Sequence, residues 1–130
     1  MILLDSDVLI EIFDKFSKKR KVLLGKLKQL EEELVTTAIN LDEVLYGIYK
    51  VISMQRLAPD HPLWRFPALP FTVKDADVAA QLEVKLERQG KKKPRGDNLI
   101  AAIDLNNGCK LFTLNKTHFS DIPRLELFDD

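Results

Sequence analysis

Residues 2–5, ILLD, constrain the fold more than any other stretch. An uninterrupted apolar run at the start of a chain reads as a strand buried on both faces, as in a parallel sheet. Asp5 stands where that strand ends. Open parallel sheets bind their ligands at the carboxyl ends of their strands. A carboxylate therefore marks the floor of a candidate site before the chain has run six residues. The rest of the sequence can be read by asking what else converges on Asp5.

Helical and apolar patterns alternate from there. Ser6 or Asp7 is expected to cap a short helix carrying Val8, Leu9, Ile12 and Phe13. Residues 16–32 read as a basic amphipathic helix that includes Lys19 and Arg20. Its last acids, Glu31 to Glu33, sit at the unfavourable end of a helix dipole, which predicts that it stops before them. A second strand is expected at 34–37, LVTT. Asn40 is the expected N-cap of a helix carrying Leu41, Val44, Leu45, Ile48, Tyr49 and Ile52 and reaching about Arg56. Pro59, Pro62, Pro67 and Pro70 mark a loop whose Trp64 and Phe66 either cover a core edge or meet another protein. A strand at 68–72 precedes a helix with Val78, Ala79, Leu82 and Leu86 on one face, stopped by Gly90. After the basic loop KKKPRG, Asp97-Asn98 opens an apolar helix ending at Gly108, and strands follow at 110–114 and 125–128. This alternation predicts an α/β fold with a mainly parallel sheet of four or five strands flanked by helices. Residues 1–130 are expected to form one domain.

Composition narrows the function only by exclusion. Twenty basic residues balance twenty acidic ones, so net charge names no partner. The single cysteine, Cys109, excludes an internal disulfide and fits a reducing cytosol. No apolar run reaches the roughly 18 residues of a membrane span. The N-terminus lacks the basic and long apolar regions of a signal peptide. A cytoplasmic protein with no membrane contact is expected.

Four polar residues carry the chemistry. Asp5 ends the first strand, Glu43 lies in the expected first turn of the helix after the second, Asp97 begins the helix before the fourth, and Asn115 follows the fourth. Strand ends and the helix starts that follow them share one sheet edge. Topology alone does not put Asp97 there, because its helix leads into a strand. Clustered carboxylates repel unless a cation joins them. All-oxygen ligands select a hard ion, Mg²⁺ or Mn²⁺, over Zn²⁺. Such ions activate water and stabilise leaving oxygens in phosphodiester cleavage.

The stretches LLDSDVLIEIF at 3–13, TTAINLDEVLYGI at 36–48, RGDNLIAA at 95–102 and LFTLNKTHF at 111–119 together resemble PIN-domain proteins. The resemblance is closest to VapC-type toxins of toxin–antitoxin pairs. It implies a PIN-like three-layer sandwich, metal-dependent endoribonuclease activity, a VapB-type antitoxin partner and a homodimer. It also implies that Asp97 joins the acidic edge, and that Asp5, Glu43 and Asp97 are the metal ligands. Asn115 stands where the family commonly has Asp, and Asp7 where it usually has Asn. Thr113 matches a family hydroxyl near the site.

Bland readings accompany these. Asp5 or Asp97 alone would be a helix cap, and Glu43 a dipole partner. Asp104, two turns after Asp97, reads as a polar neighbour of the site or a packing partner for a lysine. Lys91, Lys92, Lys93 and Arg95 read equally as a solvated loop or as phosphate contacts; Lys19 and Arg20 read as a solvated helix face or an RNA-backbone contact. His118 reads as a residue near the metal edge or, in preference, as a surface residue. Two other functions compete. The DSD after the first strand also resembles haloacid-dehalogenase-type phosphatases, with Asp5 as nucleophile and Asp7 as acid/base; Leu9 departs from that motif and no later Asp pair completes it. A non-catalytic RNA- or protein-binding PIN domain is the third.

Overall fold

The computed structural model describes residues 1–52 and 56–129. In chain order the elements are β1 (Ile2–Leu4), α1 (Ser6–Phe13), α2 (Arg20–Gln29), β2 (Leu34–Thr37), α3 (Ala38–Val51), β3 (Ala68–Leu69), α4 (Val73–Arg88), α5 (Arg95–Asn107), β4 (Lys110–Phe112) and β5 (Glu126–Leu127). Short 3-10 turns at Pro62–Arg65 and Lys116–His118 interrupt the loops.

The strands form one sheet in the order β3-β2-β1-β4-β5, and every pairing is parallel. The first strand is therefore central, as its unbroken apolar run requires. Its side chains alternate between two cores. Ile2 and Leu4 pack with α1, α2, Val44 of α3 and Phe112 of β4. Leu3 faces the other way, with Val35, Leu111, Leu82 and Leu86 of α4, and Ile100 and Ala101 of α5. Helices thus cover both sheet faces. All three β1 side chains are fully buried, and each contributes on the order of 1.5–3 kcal/mol to folding.

Element existence follows the sequence reading; element ends differ for local reasons. Asp5 itself, not Ser6 or Asp7, caps α1, accepting from the Ser6 amide at 2.8 Å. The basic helix is shorter than 16–32 and stops at Gln29, ahead of the acids. Thr37, not Asn40, caps α3: its hydroxyl accepts from the Asn40 amide at 3.0 Å. That moves the helix start back, so Glu43 stands in the second turn rather than the first. The helix ends at Val51, Arg56 is not helical, and the expected continuation over 53–55 lies outside the described residues. The third strand is two residues long because Thr72 and Asp75 form a reciprocal capping box that starts α4 at Val73. At the other end of α4, Gly90 takes a left-handed φ of 70°. The amides of Gly90 and Lys91 reach back to the carbonyls of Glu87 and Leu86, a Schellman closure. Pro94 precedes α5, which begins at Arg95, so Asp97 lies in its first turn and does not cap it. The fourth strand stops at Phe112 and the fifth spans Glu126–Leu127. No helix among the described residues is long and apolar enough to cross a membrane.

Candidate metal and nucleic-acid site

Asp5 sits at the carboxyl end of β1 and is almost fully buried. Its amide donates to the Phe112 carbonyl, which ties it to the end of β4. Both carboxylate oxygens are held. Oδ1 accepts from the Ser6 amide at 2.8 Å and from Asn40 Nδ2 at 2.9 Å; Oδ2 accepts from Thr113 Oγ1 at 2.7 Å. Residues from α1, α3 and the end of β4 thus fix one carboxylate.

Asn40 organises this bond network. Fully buried inside α3, it also donates to Ser6 Oγ at 2.8 Å and accepts from Thr37 Oγ1 at 2.7 Å. Ser6 Oγ in turn donates to Glu43 Oε1 at 2.9 Å. The chain Asp5–Asn40–Ser6–Glu43 therefore links the floor of the site to its exposed rim. On the opposite side, Asp7 Oδ2 accepts from the Leu114 amide at 3.1 Å and shares the Thr113 hydroxyl at 3.3 Å. The single Thr113 proton favours Asp5, the closer of its two acceptors.

Charge is concentrated here. Desolvation, followed by the charge of Asp5, pushes Asp7 above the ordinary carboxylate range. Glu43 is raised by partial desolvation at its rim and by Asp5, Asp97 and Asp42, against the Ser6 hydrogen bond. Asp97 is raised by desolvation and by Asp5, with His118 and Lys93 pulling the other way. The mutual repulsion of Asp5, Glu43 and Asp97 shows that α5 brings Asp97 to the same edge. Among the described residues Asp7 Oδ1 is buried with no hydrogen-bond donor, and Asp97 Oδ2 is buried with only His118 Nδ1 facing it, 3.5 Å away. Ungathered oxygens beside repelling carboxylates match what a hard cation would satisfy. Among the described residues no three such groups yet stand close enough to hold one ion.

The PIN domain family model matches residues 2–125. The chain belongs to the PIN domain family. Its parallel sheet flanked by helices is the PIN fold, and solved structures share it along nearly the whole chain. VapBC2 from Rickettsia felis, solved bound to a DNA fragment from its promoter, is 25% identical; the match covers 98% of each chain with a TM-score of 0.79. FitAcB from Neisseria gonorrhoeae is also 25% identical, covering 99% of this chain and 97% of its own, with a TM-score of 0.82. A toxin–antitoxin complex from Klebsiella pneumoniae shares the fold at 22% identity, over 95% and 93% of the two chains, with a TM-score of 0.74. No curated protein matches the chain.

Within this PIN domain the sequence candidates separate. Asp5, Asp7, Glu43, Asp97 and Thr113 come together. Asn115 is close but exposed: its amide donates to Thr113 Oγ1 at 3.0 Å, while its side chain meets Thr117 at 3.5 Å. Asp104 does not belong to the site. It is buried toward Cys109 and Glu126, at the opposite sheet edge, where burial and then Glu126 push its pKa to about 8. The same burial, with Asp104, pushes the Cys109 thiol to about 11. No lysine partners Asp104 among the described contacts, because the α5 face it occupies packs into the sheet.

The basic candidates also divide. Lys93 pairs with Asp121 at 2.7 Å and lies near enough to Asp97 to lower its pKa; its hydrogen bond holds Asp121 below the usual range. Arg95 reaches Glu83 at 3.5 Å on α4. Lys91 and Lys92 are exposed beside them. Arg20 instead donates to the Ile12 carbonyl at 2.9 Å, at the far end of α1 from Asp5, and Lys19 adjoins it. Lys26, one helix end nearer, lines a pocket of about 410 Å³ with Thr113, Asn115 and Lys116. His118 is at the site after all, its Nδ1 3.5 Å from Asp97 Oδ2, an ion-pair separation longer than a good hydrogen bond. Trp64 donates to the Ala58 carbonyl and stays partly exposed, while Phe66 packs edge-on against Phe13.

Proposed function

We propose that residues 1–130 form one PIN domain with metal-dependent endoribonuclease activity, the toxin of a VapBC-type toxin–antitoxin pair. The observation that carries this reading is the convergence of acidic side chains on the sheet edge of a PIN family member, with Asp5 and Glu43 joined through Asn40 and Ser6 and Asp97 of α5 beside them. Asp5, Glu43 and Asp97 would hold Mg²⁺ or Mn²⁺, with Asn115 beside them. When bound, the ion supplies an activated water and neutralises charge on the cleaved phosphodiester.

The chain's own part is orientation. Thr113 and Asn40 hold Asp5 from opposite sides, and Ser6 holds Glu43. His118, 3.5 Å from Asp97, pulls that carboxyl back toward its ordinary range. Lys93, Arg95, Lys91 and Lys92 stand on the Asp97 side and would contact the RNA backbone, a salt-dependent interaction. Likeness to VapBC2 supports a VapB-type antitoxin partner; that the antitoxin covers the site and that the toxin is a homodimer are what the family resemblance implies. The haloacid-dehalogenase alternative loses its support to the PIN match across residues 2–125, and Asp7 is engaged by the Leu114 amide. Asn115 in place of a fourth carboxylate favours one second reading, a binding-only PIN domain.

The test is cleavage of a structured RNA pool by purified protein in Mg²⁺ or Mn²⁺ and in EDTA, with a phosphomonoester in parallel. Metal-dependent cuts that disappear in Asp5→Asn are expected. Phosphomonoester turnover, or RNA binding without cleavage by antitoxin-free protein, would overturn the nuclease reading.

A further inference from the structure

The solvent face of α3 carries a feature that the acidic network does not use. Asp42, Glu43, Tyr46, Gly47 and Lys50 form its exposed stripe. Tyr46 is 65% exposed, an unusual setting for a large aromatic side chain. It lies three residues beyond Glu43, which places the two side chains on one helix face with Cβ atoms roughly 5–6 Å apart. Lys50 Nζ lies 5.3 Å from the Tyr46 ring centroid, within cation–π range. The arrangement is an exposed aromatic ring with a cation over one side of it, one helical turn from a proposed metal ligand.

We infer that Tyr46 and Lys50 form a subsite for one unpaired nucleotide flanking the cleaved phosphodiester, the ring stacking its base and the ammonium meeting its phosphate. The inference rests on the nuclease reading. Stacking needs an unpaired base, because bases in a duplex already stack on each other. The subsite is sequence-tolerant, since every base presents a π-face. An apolar groove of about 540 Å³ between α1 and α3, lined by Ile10, Val44 and Gly47, adjoins the platform. A protein segment seated there is the competing occupant. The continuity of the stripe with Glu43 and the placement of Lys50 favour RNA.

The test compares wild type with Tyr46→Ala, Tyr46→Phe and Lys50→Gln on a fluorescent unpaired oligoribonucleotide and on its duplex. Cleavage is followed in Mn²⁺ and anisotropy in EDTA. Loss of one stacked base weakens binding by about 5- to 150-fold. Tyr46→Ala should therefore raise KM and the EDTA-measured Kd for single strands by that factor, with kcat nearly unchanged. Tyr46→Phe should restore both, and the duplex should show no difference. Lys50→Gln should weaken single-strand binding and flatten its salt dependence. If wild type cleaves RNA while Tyr46→Ala matches it in KM and Kd, the subsite is wrong and the nuclease reading survives. If Tyr46→Ala instead changes only oligomeric mass, the stripe is a protein interface and the subsite is also overturned. If wild type binds single strands through Tyr46 but never cuts, the subsite stands and the nuclease reading falls.

Discussion

At the scale of residues, the site depends on a few buried polar groups whose partners come from distant sequence. Asn40 is the clearest. It reads as a cap in the sequence because Asn is a good N-cap, but Thr37 is one as well and takes the position. Asn40 is thereby carried into the first turn of α3, where it bonds Asp5, Ser6 and Thr37. Ser6 was hidden in the same way, by being a plausible cap. Only the spacing of Asn40 and Glu43, on one face of α3, could have signalled a shared role. Asn40→Ala leaves two buried acceptors and a hydroxyl short of partners. It should cost about 1–3 kcal/mol, read by urea unfolding, and should reduce RNA cleavage by more than that loss of folded protein explains.

Asp104 is a second residue-scale case, and its misplacement has a physical reason. Helical spacing put it on the face of Asp97, but that face runs the length of the sheet and reaches the opposite edge. There its pKa is about 8 in the folded chain, raised from 3.8 by burial and by Glu126. Below pH 4 both the folded and unfolded states hold the proton, so Asp104 leaves stability unchanged. As pH rises from about 4 to about 8 the unfolded chain releases a proton that the folded chain retains, and stability falls. Asp104→Asn removes this dependence. The stability of the variant relative to wild type should rise by about 1.4 kcal/mol per pH unit across that window. Urea melts of both proteins at about pH 5 and about pH 7 check it. Parallel pH dependences would contradict the burial of Asp104 as a neutral acid.

At the scale of elements, hydrophobic period made every helix and strand legible, while their ends were decided by capping competition. Thr72 illustrates this. Its hydroxyl and the Asp75 carboxylate each accept from the other's backbone amide, which ends the third strand early and starts α4. Asp75 also accepts from Asn106 Nδ2 at 2.7 Å, joining α4 to α5. Thr72→Ala should lower stability by about 1 kcal/mol, seen as a drop in Tm, with RNA cleavage per folded molecule unchanged, since α4 contributes no ligand. The sequence points to Asp97 as the start of α5 because Asp is a good cap residue. Pro94, already in the extended conformation of a cap position, let the helix begin two residues sooner. That shift matters for chemistry: it frees the Asp97 side chain from capping duty.

At the scale of the whole molecule, the strand order makes the site. Because β1 is central between β2 and β4, the ends of three neighbouring strands gather Asp5, the start of α3, and Thr113. The alternation of strands and helices indicated a parallel sheet, but strand order is a long-range property that local pattern does not encode. For the same reason the position of Asp97 needed the family resemblance: α5 enters the edge through packing on α4 and the sheet. Once folded, like charges from three elements share one edge, and among the described residues His118 and Lys93 are the cations that lower Asp97. The central claim is that Asp5, Glu43 and Asp97 act there as one metal site. Mn²⁺ binding tests it most directly, followed by the loss of the free-ion electron paramagnetic resonance signal for wild type and Asp97→Asn of matched thermal stability. Saturable binding by wild type, lost or at least about tenfold weaker in Asp97→Asn, is predicted. Equal binding by the two proteins, or none by wild type, would contradict it.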